Sequence, residues 1–421
     1  MKREMLFHRV ACAALAAFIG SDARAINVVI DDRYDVSDFF DPGTPNGALA
    51  RATINQAALF FSTIIDDTLA AIPYYDPLTP GGSNTPVWRQ SIMHPGTGQT
   101  SYDISSAASA AQDGLTVPQG AANEFRDLQV PANQYTLYIG ATSLSSAGIG
   151  GTGVGYFGST AFNQTIGRRG KPEGEFAAWG GYVSFDDDGG ANWHYDHSTP
   201  VAAGKTDLYS VALHEIGHAL GLNGSYAEWT QWQVGPEFQG PQALAAWKAD
   251  DPSAPSGATG VPTVSASNFH WKDNAATPPF APRVSSYVLG TTQLQEAAMD
   301  PVIINGSRKL FTNVDAMALR DIGWTVPDSV FDVTESPADF NGDDFVDGED
   351  LADWELAFDA DDNGGDADGD GDSDGADFLI WQRELTVPPA FPTGAPLPEP
   401  SGGLLAAVGG GVLLALRRRK A

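Results

Sequence analysis

The sequence predicts an α+β domain followed by a small all-α module. Three observations predict it. Strand-like and helix-like runs follow one another without the regular alternation of a parallel sheet. One helical run carries two histidines four residues apart with a glutamate between them. And the 50 residues from Glu335 to Glu384 hold 19 acids against one base, Arg383. Of the chain's net charge of -30, that window supplies 18 negative charges. At 421 residues the chain is too long for one ordinary core. At 42% hydrophobic and 10% aromatic it is globular overall. The acidity excludes a nucleic-acid partner, because no basic stripe is available to neutralise phosphates. The one cysteine, Cys12, lies in a segment expected to be removed, so disulfides and thiolate chemistry are excluded from the mature chain.

The elements follow in order. Ile26 to Ile30 is a β-branched run and a predicted strand. From Ala48 to Ala71 apolar residues recur at helical spacing (Ile54, Ala57, Ala58, Phe61, Ile65, Leu69), which predicts a long helix stopped by Pro73. Tyr135 to Ile139 reads as a strand, and Gly148 to Gly158 as a glycine-rich surface loop outside any nucleotide-binding context. Trp179 to Asp187 alternates as an edge strand would. Asp207 to Leu222 is an amphipathic helix with Thr206 and Asp207 as cap candidates. Residues 251–263 read as a loop, and Val314 to Ile322 as a final helix closed by Gly323. The domain boundary falls near Pro327.

The chain ends read as addresses. Lys2, Arg3 and Arg9 precede an apolar run, Val10 to Gly20, and Ala23-Arg24-Ala25 offers small residues at a cleavage site. Residues 1–25 are therefore expected to be a signal peptide. At the other end stand a Pro-rich linker over 386–400 with Pro398-Glu399-Pro400, an apolar stretch from Gly402 to Leu416, and Arg417 to Lys420. Residues 401–421 resemble a PEP-CTERM sorting signal. The resemblance implies an exported protein of a Gram-negative-type bacterium, secreted or at the cell surface, held in the membrane transiently and only through this tail; the alternative is a plain single-span anchor.

The chemical centre is His214-Glu215-Ile216-Gly217-His218. Positions four apart share a helix face, so both imidazoles can address one zinc ion. Glu215 can accept a proton from water at the metal without being a ligand itself. Gly221 allows a sharp turn after the second histidine. The run from His214 to Gly224 resembles a metzincin motif, and in the compact metzincins the resemblance implies a third histidine at position 224; that residue is Gly224, so a third ligand comes from elsewhere or is absent. Of the remaining histidines only His270 lies between the motif and Ala298-Met299-Asp300-Pro301; His194 and His197, from the preceding loop, stay open as ligands or as a second, structural zinc site. Asp186, Asp187 and Asp188 read as a calcium loop or a solvated acidic turn.

The run His214 to Asn223, a long insertion, His270, Met299-Asp300-Pro301 and Phe311 to Trp324 resemble the leishmanolysin-like branch of the metzincins. Tyr182 to Asp187 with Trp193, and Asp207-Leu208 entering the helix, look matrixin-like. The resemblance covers residues 26–327. It implies a twisted sheet with an active-site helix, zinc ligands His214, His218 and His270, Glu215 as general base, and Met299 as the turn residue beneath the zinc.

In the acidic window, Asp339, Asn341, Asp343, Asp347 and Asp350 place side-chain oxygens at calcium-loop positions 1, 3, 5, 9 and 12, with the carbonyl of Phe345 at position 7. Asp366, Asp368, Asp370, Asp374 and Asp377 repeat the pattern 27 residues later, with the carbonyl of Asp372. Each loop runs into an apolar helical stretch. The pair, residues 338–385, resembles a type I dockerin, which implies two calcium ions and a cohesin-like partner. The expectation is an exported zinc-dependent endopeptidase acting on protein or peptide substrates. The alternative is a non-enzymatic surface or matrix protein with a degenerate metzincin domain.

Overall fold

A computed structural model describes residues 26–73, 90–100, 102–104, 129–153, 166–264, 269–272, 284–333, 336–341, 346, 348–360 and 362–384. All of them belong to one compact unit, Met1–Leu385. Its centre is a four-stranded sheet of β1 (Asn27–Asp31), β2 (Gln134–Thr142), β3 (Gly148–Thr152) and β4 (Gly180–Asp186), in the order β1-β2-β4-β3. β1 runs parallel to β2 with Val28 opposite Tyr135, and β2 parallel to β4 with Ile139 opposite Val183. β3 lies antiparallel to β4, with Gly150 also opposite Val183.

Helices α1 (Pro45–Ile64) and α2 (Leu208–Ala219) contact each other and the sheet, and bury Ile54, Phe61, Val211 and Ile216 with Leu137 and Val183. Each such side chain contributes about 1.5–3 kcal/mol on burial. Thr44 caps α1 by accepting from the Gly47 N–H, and Pro45 occupies its first turn. A second cluster holds Tyr34, Ile92, Tyr102, Tyr138 and Trp179. Helices α3 (Pro241–Asp250) and α4 (Asn313–Asp321) pack together downstream. Helices α5 (Gly348–Ala360) and α6 (Gly375–Glu384) contribute to a small separate core of Ala338, Val346 and Trp381.

Several expectations are corrected. α1 ends at Ile64, not near 71. Beyond it Ile65, Asp67 and Leu69 are buried while residues 66, 68 and 70 are exposed, the period of extended chain. A spacing of four fits either period, so Ile65 and Leu69 matched the helix pattern without being helical. β4 is interior rather than an edge, because β3 covers it. The first part of the glycine-rich run is strand β3, not a loop. A Cβ on Gly150 would lie 2.1 Å from the Glu215 carbonyl oxygen, and one on Gly148 2.8 Å from the Glu215 Cγ. The glycines are there because this strand presses its backbone against α2.

Among the described residues no helix is long and apolar enough to cross a membrane. The leader 1–25 and the tail 386–421 lie outside them.

Candidate metal centre

Asp207 opens α2 by accepting the Ser210 N–H at 3.1 Å, and Arg308 holds the same carboxylate through Nη2 at 2.9 Å and Nε at 3.0 Å. The helix closes on Gly221 at φ +102, where the Gly221 N–H donates to the His218 carbonyl and the Leu222 N–H to that of Gly217. This glycine-dependent closure satisfies two end carbonyls and turns Leu222 back towards the helix. The Leu222 carbonyl then accepts from His218 Nδ1 at 2.7 Å. His214 Nδ1 donates to the Ala298 carbonyl at 2.8 Å.

These two bonds fix the chemistry of the opposite nitrogens. A carbonyl oxygen only accepts, so both Nδ1 atoms carry the proton and both Nε2 atoms present bare lone pairs. The two Nε2 atoms nevertheless lie 3.0 Å apart, and His270 Nε2 sits 3.1 Å from that of His214 and 3.0 Å from that of His218. Burial drives His214 down to about 3 and His270 down to about 4, and His218 well below its ordinary value. None of the three rings therefore carries a positive charge at neutral pH. Converging lone pairs of this kind call for a cation, and the three imidazoles are placed to hold a metal ion. Ligands about 2.0–2.1 Å from a tetrahedral zinc lie about 3.3 Å apart, close to the separations here. The Nδ1–carbonyl bonds are the outer contacts that orient such ligands.

Glu215 sits beside the cluster, buried against β3. Burial pushes its carboxyl up to about 8, and a hydrogen bond with the Gly150 backbone pulls the other way. Met299 is fully buried; a Cβ on Gly217 would meet its sulfur at 2.6 Å, so the bare helix position admits the methionine beneath the histidines. A cleft of about 400 Å³ is lined by His214, Glu215, His218 and His270, by Gly148 to Gly150 of β3, by Tyr182 and Val211, and by Phe269, Asp300, Pro301 and Ile303. Burial pushes the Tyr182 hydroxyl up to about 12, so it is a neutral donor there.

The other candidates are engaged elsewhere. His194 Nε2 contacts the Thr199 carbonyl at 3.2 Å, and His197 Nδ1 lies 3.2 Å from Thr53 Oγ1. Asp186 accepts from the Leu144 and Ala191 N–H groups, and Asp188 from Ser143 and Gly190. Both carboxylates are tying adjacent loops together.

In the acidic segment, Asp343, Phe345 and Asp347 lie outside the described residues. Asp350 is buried and accepts from the Phe340 and Asn341 N–H groups at 2.8 and 3.2 Å. Asp377 accepts from Ala367 and Asp368 at 2.7 and 3.0 Å, the same bonds 27 residues on. Asp366, Asp368 and Asp370 gather in one group, and Asp372, Asp374 and Asp377 in another. The flanking helices touch through Trp354 and Phe378, 5.2 Å between ring centroids. Asp339, the position-1 residue of the first loop, is among the described residues but in neither group.

Residues 163–230 match the Matrixin family model, Peptidase_M10. The matched stretch contains β4, α2 and the His214-to-His218 motif, and supports a metzincin-like domain and, at the level of the family, a zinc metallopeptidase. The mixed α+β architecture is compatible with such a domain. No curated protein matches the chain. The sequence reading missed Asp315, Trp271 and the two backbone carbonyls that orient the histidines. Only the glycines at 148, 150 and 217 carried a readable sign of close packing at the site.

Proposed function

We propose that the protein is an exported zinc-dependent endopeptidase. The carrying observation is the convergence of three imidazole Nε2 atoms, each within 3.1 Å of the other two, beside Glu215. His214, His218 and His270 would hold the zinc. When bound, zinc supplies Lewis-acid polarisation of a peptide carbonyl and lowers the pKa of water. A cation beside Glu215 also favours its ionised form, against the effect of burial. Glu215 then takes a proton from water as the oxygen attacks the carbonyl carbon, and gives it to the amide nitrogen as the C–N bond breaks.

The cleft suits an extended peptide. β3 is the last strand of the sheet among the described residues, and Gly148 to Gly150 line the cleft, so main-chain groups there can pair with substrate main chain. Val211, Pro301 and Ile303 also line the cleft and offer apolar surface for one side chain. A degenerate domain without a third ligand requires His270 to stand away from the helix pair, and its Nε2 lies within 3.1 Å of both partners.

The finer parts of the reading are calcium in two loops of a dockerin-like module at 338–385, a cohesin-like partner for it, and a sorting tail that anchors the exported chain transiently. The repeated Asp350 and Asp377 hydrogen-bond pattern supports the first. The proline-rich, apolar and basic order of the last residues supports the last.

Glu215→Gln tests the central claim. It keeps the shape and removes the base, so turnover of a casein-type substrate should fall by more than about 100-fold while zinc stays bound at one per chain. Unchanged turnover would sink the role of Glu215; a wild-type protein that takes up no zinc would sink the whole reading.

A further inference from the structure

We infer that Trp271, through its indole N–H, is the positioning residue that delivers His270 to the metal centre, and that Asp315 is the post to which it is tied. The inference rests on the zinc reading above. His214 and His218 are set by one helix, but His270 belongs to no helix and lies 52 residues beyond His218. Something outside its own segment has to fix it. Its carbonyl accepts from the Val264 N–H at 3.1 Å, a contact on an exposed chain. The firm anchor is the next residue. Trp271 is fully buried, with its ring 5.5 Å from that of Trp229 and 5.7 Å from that of Phe238. Its backbone N–H donates to the Met299 carbonyl at 3.1 Å, and its indole N–H to Asp315 Oδ1 at 2.7 Å.

Asp315 is fully buried in the first turn of α4 and receives five hydrogen bonds. Besides the indole, Oδ1 takes the Met299 N–H at 3.1 Å; Oδ2 takes the Ala298 N–H at 2.8 Å and the N–H and hydroxyl of Thr312 at 3.0 and 2.6 Å. Ala298 is the residue whose carbonyl orients His214. One carboxylate therefore holds the neighbour of His270 and the partner of His214, two residues with no sequence relation. Hydrogen bonds to a buried carboxylate are short and strong, which suits a part whose function is to prevent rotation.

The test is Trp271→Phe, which keeps an aromatic ring in the stack but removes the indole donor together with part of the ring. Trp229→Phe is its control: it too removes an indole hydrogen bond, to Gln233, but has no link to Asp315. Zinc affinity is read on the full chain by chelator competition, and the cobalt-substituted proteins by their visible spectra. Trp271→Phe should lose on the order of tenfold in zinc affinity and shift the cobalt bands, since outer contacts of ligands are worth that much. Its metal-free Tm should fall about as far as that of Trp229→Phe, which also loses ring volume and an indole hydrogen bond at a buried site. Trp229→Phe should match wild type in both metal readouts. Affinity and spectrum unchanged in Trp271→Phe would overturn the inference while leaving the zinc reading standing. So would an equal loss in Trp229→Phe, which would mark the effect as loosened packing. No zinc on wild type would overturn both.

Discussion

Gly217 shows how much one missing methyl group decides at this site. Alanine there would gain up to about 1 kcal/mol of helix propensity. The same Cβ would stand 2.6 Å from Met299 Sδ and 3.3 Å from its Cε, and overpacking of this kind costs about 1–3 kcal/mol. Packing should win. Gly217→Ala is expected to lower Tm and weaken zinc binding together, read by calorimetry with and without metal; a variant more stable than wild type would show that Met299 yields freely. Asp321 offers a pH test. Its carboxylate accepts from the Gln242 and Ala243 N–H groups at 3.1 and 2.9 Å, yet burial outweighs them and pushes it up to about 6 from 3.8. A folded pKa above the unfolded one means that the folded state holds more proton in between. The contribution is fully present below pH 3.8 and is lost as pH rises through about 6. Relative to Asp321→Asn, wild type should therefore gain up to about 3 kcal/mol between pH 6.5 and pH 4. A difference in Tm that does not vary with pH would refute it.

At the scale of elements, the sequence was legible where one period or one cap dominates. Asp207 and Gly221 bracket the histidine helix in the text as in the fold, because caps act within a turn of their own position. α4, read as Val314 to Ile322, runs from Asn313 to Asp321 for the same reason. Illegible were the features set by a distant neighbour. β3 read as a loop because its glycines answer to Glu215, more than sixty residues away, and not to each other. α3 went unread because Pro241 to Asp250 has a weak apolar face and donates its first-turn N–H groups to Asp321 in another helix. The acidic loops make an element-level prediction. If each binds calcium, millimolar calcium should protect residues 338–385 of the full chain from limited proteolysis, and Asp339→Ala combined with Asp366→Ala should remove the protection. An identical cleavage pattern in calcium and in chelator would reduce the loops to an acidic tether.

For the molecule as a whole, the placement of β1 and α1 is decisive. Val28, Ile54 and Phe61 lie in the main core, and β1 pairs along its full length with β2. Removal of residues 26–65 should therefore abolish cooperative unfolding and leave a chain that binds hydrophobic dyes. A shortened chain that still hydrolyses casein would show the segment to be dispensable.

The tie between Trp271 and Asp315 spans 44 residues, and the one between His218 and His270 spans 52. Early in refolding a nascent helix can present two histidines, but the third arrives only after a long loop has closed and α4 has docked. A metal held by these three residues would thus be a latecomer to folding: it would lock the finished molecule but have little to grip on the way there. Chelator should steepen the loss of native protein over time and leave the refolding rate alone, since a contact absent from the barrier changes only the rate of leaving. A metal-locked molecule built this way would owe its endurance to how slowly it opens.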